Sequence, residues 1–171
     1  IKNLVLNNTS NVIPHNIGFA EQDGELDFFY YKEGAGNTSL AKLSRRDSLE
    51  RLTCNVRRLD EFVENNSLEV EFIKCDVEGA ELLVFKGGTG LIEKQKPIVF
   101  TELLRKWAAS FGYHPQDVVE LFFSMGYGCF TYEEGLLKPL DKIFEDTTET
   151  NFFFLHHSQH AAQIKEHGGT E

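Results

Sequence analysis

Two apolar segments of the sequence end in acidic residues whose carboxylates could act as general acids or bases. Residues 70–76 (VEFIKCD) end at Asp76, which is soon followed by Glu78, and residues 97–103 (PIVFTEL) contain Glu102. In an open parallel sheet, ligands bind at the carboxyl ends of the strands. If the two segments form neighbouring strands, Asp76 and Glu102 face one crevice, and carboxylates in a crevice can carry acid or base chemistry.

A structural role explains part of this acidity equally well. Asp76, Glu78 and Glu81 come where a helix is predicted to begin. Acids at helix N-termini are stabilised by the helix dipole and by capping. Glu102 has no helix start immediately after it, so that explanation suits it less. We therefore take Asp76 and Glu102 as the first catalytic candidates and Glu78 as the third.

The composition describes one globular domain. The chain has 171 residues, of which 41% are hydrophobic and 26% charged, a balance typical of a chain that folds around a core. Lys and Arg number 17 against 27 Asp and Glu, for a net charge of −10. This charge argues against nucleic-acid or anionic-membrane partners, since phosphates require a basic face. No apolar segment approaches the roughly 20 residues of a membrane span, so we predict none.

The cysteines and the first residues indicate a compartment. Cys54, Cys75 and Cys129 are far apart and show no CxxC spacing, as expected of reduced, mostly buried thiols. The first eight residues, IKNLVLNN, lack the features of a secretory signal peptide. We therefore predict a cytoplasmic location.

Strands and helices alternate along the chain. The predicted elements are a helix end at 2–7, strands at 11–20 and 24–31, a strand-to-helix segment at 52–62, a strand at 70–76 with a helix after it, a strand at 97–103, a helix at 115–125 and strands at 126–132 and 151–157. The last two strands are expected to form an antiparallel hairpin at the sheet edge. This order favours an α/β fold with a mostly parallel sheet, as one domain over 1–157 followed by a frayed, polar tail at 158–171.

Standard cofactor and metal motifs are absent from the sequence. The Gly-x-Gly pairs at 34–36, 88–90 and 126–128 do not continue as GxGxxG. No P-loop, HExxH, GxSxG or metal-spaced Cys/His cluster occurs either. These absences argue against hydrolases and kinases and predict no metal site. A Mg²⁺ ion held by Asp76 and Glu102 is kept as a minor alternative.

Residues 59–103 resemble the signature block of the FkbM-type methyltransferases. That block combines an LDE turn, a strand ending in K-x-D-x-E-G-A-E, an L-x-x-x-K-G helix and a P-I-x-x-x-E strand. Here it reads LDEFVENNSLEVEFIKCDVEGAELLVFKGGTGLIEKQKPIVFTEL. The flanking segments 4–29 and 124–130 resemble the third-strand region and a late Gly-Tyr strand of the same family. The resemblance extends over almost all of the chain.

The resemblance implies a class I, Rossmann-like methyltransferase that uses S-adenosylmethionine, usually to methylate a hydroxyl oxygen. In that fold the segments 70–76 and 97–102 are adjacent strands, so Asp76 and Glu102 converge. The residues expected to line the cofactor pocket are Phe19, Ala20, Asp76 and Val77. The residues that could lie over the active site and bind substrate, or else form a plain turn, are Asn37, Thr38 and Ser39. Trp107 either flanks the substrate entrance or is simply half-buried.

The first strand of that fold, its Gly-rich turn and the acid after its second strand have no counterpart in this sequence, which begins at Ile1. We therefore expect the N-terminal βαβ portion of the fold to be missing and the chain to bind the cofactor poorly or not at all. An incomplete sheet would leave the strand at 70–76 with an unpaired edge, which favours self-association as a homo-oligomer.

Three functions are open on the sequence. The first is an O-methyltransferase acting on a small-molecule hydroxyl acceptor such as a sugar, lipid, polyketide or phenol. Its acceptor oxygen would attack the methyl carbon in line with the leaving group, with Asp76, Glu102 or Glu78 as the base. The second is a non-catalytic Rossmann-like binding module that has lost the cofactor half. The third is a metal-dependent domain built on Asp76 and Glu102.

Overall fold

Two β-sheets and a set of short helices form the part of the chain that the computed structural model describes, residues 2–31 and 49–168. The strands are β1 (Gly18–Phe19), β2 (Gly24–Tyr31), β3 (Leu49–Arg57), β4 (Phe72–Cys75), β5 (Ile98–Glu102), β6 (Tyr127–Glu133), β7 (Leu136–Pro139) and β8 (Asn151–His156). The helices are α1 (Lys2–Leu6), α2 (Leu59–Asn65), α3 (Glu81–Lys86), α4 (Thr89–Gln95), α5 (Arg105–Ala108, continued by a 3-10 helix at Ala109–Phe111), α6 (Pro115–Ser124) and α7 (Ala161–His167). The chain is a mixed α/β protein, as its sequence predicts.

The larger sheet has five strands in the order β4-β5-β8-β6-β7. β4 and β5 are parallel, while β8 lies between β5 and β6 and is antiparallel to both. β5 and β6 therefore run in the same direction without pairing, because β8 separates them. The prediction of a mostly parallel sheet is wrong. The predicted antiparallel pairing of the last two strands is confirmed, since β6 pairs with β8, but the predicted position of that pair at the sheet edge is wrong. β8 is an inner strand, and within the described residues β4–β5 is the one parallel pair of this sheet.

The smaller sheet has the order β1-β3-β2. β2 pairs with β3 in antiparallel register along its whole length, which confirms the predicted strand at 24–31. The predicted strand at 11–20 is wrong over most of its length, since β1 is only two residues long. Pro14 explains part of this difference, because a proline has no N–H to donate to a ladder. The neighbouring Ile13 is 79% exposed, so this segment does not contribute that side chain to a core.

The main core lies between one face of the larger sheet and helices α3, α4 and α6. On α6, Val118, Val119 and Phe122 are fully buried. The ring of Phe122 stacks on Phe154 of β8 with 4.2 Å between centroids and meets Phe85 of α3 edge-on at 5.0 Å. Such aromatic pairs contribute roughly 0.5–1.5 kcal/mol each beyond the burial of their surface. The predicted helix at 115–125 is confirmed.

Asp60, the central residue of the LDE turn, joins α2 to α4. Its Oδ1 accepts a hydrogen bond from the amide of Leu91 at 2.7 Å, and its Oδ2 accepts one from the amide of Gly90 at 3.3 Å. Both amides belong to the first turn of α4, whose N–H groups have no partner within the helix. Arg58 adds an ion pair to the same carboxylate at 3.1 Å. Asp60 of the LDE turn, on α2, therefore caps the N-terminus of α4.

The C-terminal segment packs on the opposite face of the larger sheet. Residues that alternate with the main-core positions of β6 and β8 form a second apolar cluster, against which Ile164 of α7 packs. Gly168 also bridges to Leu137 of β7. The prediction of a frayed tail is therefore wrong over residues 161–168, because these residues form a helix whose Ile164 packs against the sheet. The domain boundary after residue 157 stays a prediction.

Two histidines shape the turn that leads into α7. The Nδ1 atom of His160 accepts the amide N–H of His156 at 2.9 Å. The Nδ1 atom of His156 accepts the amides of Ser158 and Gln159 at 3.3 and 3.2 Å. Burial is the main reason that the pKa of each histidine is lowered, with Lys96 and a neighbouring histidine adding to the effect at His156. The turn therefore requires unprotonated imidazoles.

β4 is the terminal strand of the larger sheet and forms no ladder on its outer side within residues 2–31 and 49–168. Phe72 on this strand is 53% exposed. Unpaired strand edges are the usual places where chains associate. The expected self-association through the strand at 70–76 stays a prediction.

Two sequence predictions concern a membrane span and the state of the cysteines, and the described residues bear on both. Among them, no helix combines the length and apolar character needed to cross a bilayer. Cys75 and Cys129 are buried free thiols and Cys54 is a half-buried one. The expectation of unpaired, mostly buried cysteines is confirmed, while the compartment stays a prediction.

Replacing Asp60 with alanine should destabilise the fold, because two amides of α4 lose their acceptor. We expect the free energy of unfolding to fall by about 1–2 kcal/mol, measured by urea denaturation. Glu61→Ala, one residue further along α2 and exposed, is the matched control and should lower it by less than about 0.5 kcal/mol. Equal losses in the two variants would contradict the capping role.

Acid should weaken the chain through His156 and His160. Since their pKa values are lowered from the ordinary 6.5, the unfolded chain takes up protons before the folded chain does, and stability falls as the pH drops below about 6.5. Urea midpoints measured from about pH 8 down to about pH 5 test this. A double variant, His156→Asn with His160→Asn, keeps an acceptor oxygen without a titrating ring and should lose less stability. The same loss in both proteins would exclude the histidines as its cause.

Candidate active site

The β4–β5 ladder places Asp76 and Glu102 at one edge of the larger sheet. Cys75 at the end of β4 pairs with Thr101 of β5, so the residues that follow this pair lie side by side. This edge is the carboxyl end of two parallel strands, where ligands of such sheets bind. The structure thus brings the two strand-end acids together. That either acid is catalytic stays a prediction.

The backbone turns sharply between β4 and α3, and the turn carries Glu78. Glu78 has a φ of +56° and Gly79 a φ of +103°, so both residues are in the left-handed region. A Cβ on Gly79 would lie 2.7 Å from the carbonyl carbon of Trp107 on α5. A glycine is therefore required at position 79 for two reasons, the backbone conformation and the close approach of α5.

Two residues outside the predicted catalytic set hold this turn. Glu81, the first residue of α3, is 2% exposed, and its Oε1 accepts the backbone amides of Val77 and Gly79, each at 3.1 Å. The hydroxyl of Tyr113 lies 2.8 Å from the carbonyl oxygen of Gly79 and 3.2 Å from Oε2 of Glu81. The position of Glu81 at a helix start suggested only a capping acid. No local sequence signal selects Tyr113, because its contacts are made with residues more than thirty positions earlier.

Burial and mutual repulsion raise the pKa of two site carboxyls. Burial is the largest cause at Glu78, and the charges of Asp76 and Glu102 come next. With a further contribution from Glu81, they raise the pKa of Glu78 to about 7. The pKa of Glu102 is raised mainly by burial, while Lys74, which pairs with Asp76 at 2.9 Å, acts in the opposite direction. A carboxyl with a pKa near 7 can exchange its proton at neutral pH, as a general acid or base must.

The residues expected to bind the cofactor fall into two groups. Asp76 and Val77 belong to the acid site, and the half-buried Val77 packs against the main core. Phe19 and Ala20 belong to the smaller sheet, where Phe19 meets the ring of Phe62 edge-on at 5.2 Å and Ala20 is buried. Their common role in binding a cofactor stays a prediction. The residues expected to bind substrate lie outside the described residues; they are Asn37, Thr38 and Ser39.

A cleft beside α5 contains the single tryptophan of the chain. Its volume is about 770 Å³, and it is lined by Leu103, Leu104, Arg105, Lys106, Trp107 and residues 145–150. Nη1 of Arg105 donates to the carbonyl oxygens of Phe144 and Thr147, each at 3.0 Å, which fastens the facing loop. Because Leu103 directly follows Glu102, the cleft adjoins the acid site along the chain.

The described residues offer no set of side chains suited to hold a metal ion. Among residues 2–31 and 49–168, no group of three or more His, Cys, Asp or Glu side chains is arranged to hold an ion. In addition, Asp76 already forms an ion pair with Lys74. The structure therefore offers no support for the Mg²⁺ alternative.

Comparison with known families decides what kind of domain carries this site. Residues 2–129 match the family model of the methyltransferase FkbM domain. The chain belongs to the FkbM methyltransferase family. This confirms the resemblance seen in residues 59–103. Asp76, Glu78 and Glu102 all lie inside the matched region of the FkbM domain.

Individual relatives are longer than this chain. Methyltransferase 1 from Beauveria bassiana (strain ARSEF 2860) is 28% identical over 104 residues, which cover 50% of this chain and 42% of the relative. A crystal structure of Methyltransferase FkbM from Methylobacillus flagellatus KT matches 90% of this chain and 32% of its own, at 18% identity and a TM-score of 0.48. The chain thus spans less than half the length of either protein.

The Glu78 carboxyl should titrate near pH 7, with its side-chain carboxyl ¹³C resonance assigned by its loss in Glu78→Gln. Because folding raises this pKa above the ordinary 4.5, the folded chain holds the proton more tightly, and Glu78 lowers stability as the pH rises from about 4.5 to about 7. Glu78→Gln should therefore be more stable than the parent above about pH 7 and equal to it below about pH 4.5. A midpoint near the ordinary value would contradict the crowding of these carboxyls.

Proposed function

We propose that Asp76, Glu78 and Glu102 form the active site of an S-adenosylmethionine-dependent methyltransferase of class I, Rossmann-like type that acts on a hydroxyl oxygen of a small molecule. The observation that carries the proposal is the convergence of these carboxyls at the carboxyl ends of β4 and β5 inside an FkbM domain. Methylation of a hydroxyl releases a proton. A carboxyl whose pKa is about 7, as at Glu78, is suited to accept it.

The charge of the site fits the proposed cofactor. The raised pKa values of Glu78 and Glu102 mean that each carboxylate is destabilised by its surroundings, and Lys74 offsets this only in part. A cation next to them would relieve the repulsion. S-adenosylmethionine, when bound, supplies a methyl group on a cationic sulfonium. The residues proposed to hold it are Phe19, Ala20, Asp76 and Val77.

The three acids are proposed to divide the work on the acceptor. Either Glu102 or Glu78 takes the single hydroxyl proton onto a carboxylate oxygen, which leaves the acceptor oxygen more nucleophilic. Asp76, held at 2.9 Å by Lys74, orients the hydroxyl by accepting a hydrogen bond. Holding the reacting atoms in line supplies most of the acceleration in a displacement of this kind.

The cleft beside α5 is proposed to receive the acceptor. The half-buried Trp107 offers a surface on which the apolar face of a sugar or an aromatic ring can pack. Thr147 and Glu149 on the opposite wall can bond to further hydroxyl groups. The chemistry of the two walls suits a small, hydroxylated molecule.

The experiment that tests this function follows the Glu78 carboxyl resonance while S-adenosylmethionine is added at millimolar concentrations, which also detects weak binding. A cation near the carboxylates favours their charged form, so we expect the Glu78 midpoint to fall. S-adenosylhomocysteine, which has no charge on sulfur, should lower it less. The resonance of the exposed Glu133 on β6 is the internal control. The same titration is run on a chain extended at its N-terminus by the portion expected to be missing. An unchanged Glu78 midpoint in both chains would refute the proposal and leave the non-catalytic binding module as the better account.

Glu102→Gln should lower methyl transfer by about 100-fold, because the variant cannot accept a proton. Transfer is measured with labelled S-adenosylmethionine and a panel of sugars and phenols, beside Glu133→Gln as the control for loss of an exposed acid. The free energy of unfolding of Glu102→Gln should stay within about 0.5 kcal/mol of the parent. Unchanged transfer would remove Glu102 from the catalytic set.

A further inference from the structure

We propose that Glu81 and Tyr113 are positioning residues: together they hold the backbone of residues 77–79 in the conformation that keeps Glu78 beside Asp76 and Glu102. The importance of this clamp for catalysis rests on the function proposed above. Its existence does not, because the contacts are independent of any substrate.

The burial of Glu81 is the first step of the argument. A carboxylate removed from water is strongly destabilising unless hydrogen bonds replace its hydration. Glu81 is 2% exposed, and within the described residues its hydrogen-bond partners are uncharged groups: the amides of Val77 and Gly79 and the hydroxyl of Tyr113. One oxygen atom therefore binds both amides of the turn. With the Tyr113 hydroxyl, Glu81 makes three hydrogen-bond contacts, and three contacts fix the backbone of the turn more firmly than a single capping bond.

Tyr113 is the second step, since it joins the turn to a distant part of the chain. Its hydroxyl accepts the amide of Leu82 at 3.4 Å and lies within hydrogen-bond distance of Gly79 O and Glu81 Oε2. Burial and the neighbouring Glu81 charge raise the pKa of Tyr113, so its proton stays available for donation. The hydroxyl thus contacts both the turn and the carboxylate that binds the turn.

The conformation of the turn shows why a clamp is needed. Glu78 is left-handed, with a φ of +56°, a conformation that is unfavourable for any residue with a side chain. Its carboxyl is also crowded by Asp76 and Glu102. Both effects favour a relaxed turn in which Glu78 moves towards water. The hydrogen bonds of Glu81 and Tyr113 oppose that relaxation.

Tyr113→Phe is the sharpest test, because it removes one oxygen atom and changes neither the charge of the site nor the packing of the ring. We expect the Glu78 midpoint to move from about 7 towards the ordinary 4.5, and amide exchange at Val77 and Gly79 to accelerate by about 10-fold or more. The exposed Tyr132, changed to phenylalanine, is the matched control and should alter neither readout.

A pair of variants at Glu81 gives a second readout. Glu81→Gln keeps an acceptor oxygen and should preserve slow exchange at Val77 and Gly79, whereas Glu81→Ala should lose it. If Glu81→Ala fails to fold, Glu81→Gln and Tyr113→Phe still decide the question. In methyl transfer, Tyr113→Phe should lower kcat by about 10-fold to 100-fold and leave KM nearly unchanged, as expected of a displaced base.

The outcomes separate this proposal from the proposed function. If Tyr113→Phe leaves both the Glu78 midpoint and the exchange of the two amides unchanged, the clamp is refuted, whatever the chain catalyses. If both readouts move while neither the parent chain nor the N-terminally extended chain responds to S-adenosylmethionine, the clamp stands and the methyltransferase function is refuted.

Discussion

The parallel pairing of β4 with β5 is the constraint on which the site depends. With Cys75 opposite Thr101, the residues that follow the pair emerge at the same edge of the sheet, and the acids converge without any contact of their own to draw them together. A slip of one residue would move the side chains of a strand to the other face of the sheet. That slip is opposed by the burial of Val99 and Thr101, which are both fully buried. The apolar core therefore sets the geometry of the acid cluster.

The consequence is a site whose carboxyls are closer than their charges favour. Lys74 pairs with Asp76, while burial and the neighbouring carboxylates raise the pKa values of Glu78 and Glu102. Hydrogen bonds stabilise the remaining acid of the site, since Glu81 is buried against two amides and a hydroxyl. The same contacts that stabilise Glu81 fix the turn that carries Glu78. The contacts of Glu81 therefore account both for the crowding of the carboxyls and for the backbone conformation of the turn.

The sequence predicts best where a pattern is local. The apolar strands at 70–76 and 97–103 and the capped helix at 115–125 each contain their own signals, so these elements and the convergence of Asp76 with Glu102 could be read from the residues. Pairing between distant segments has no such signal. The insertion of β8 between β5 and β6, and the contact of Tyr113 with Glu81, depend on the folded arrangement of segments that are far apart in the chain.

The conformation of Glu78 connects these points to chemistry. A left-handed residue that is not glycine persists only where its surroundings hold it, and such strain is common at functional sites. Here the strained residue also carries the carboxyl whose pKa is raised to about 7. Protonation removes the repulsion from Asp76 and Glu102, and a nearby cation would do the same. This repulsion would be relieved by the two events that methylation of a hydroxyl would bring to the site, the arrival of a cationic methyl donor and the uptake of a proton. The coincidence of a strained backbone and a carboxyl that titrates near neutral pH in one residue supports the proposal that this turn belongs to an active site.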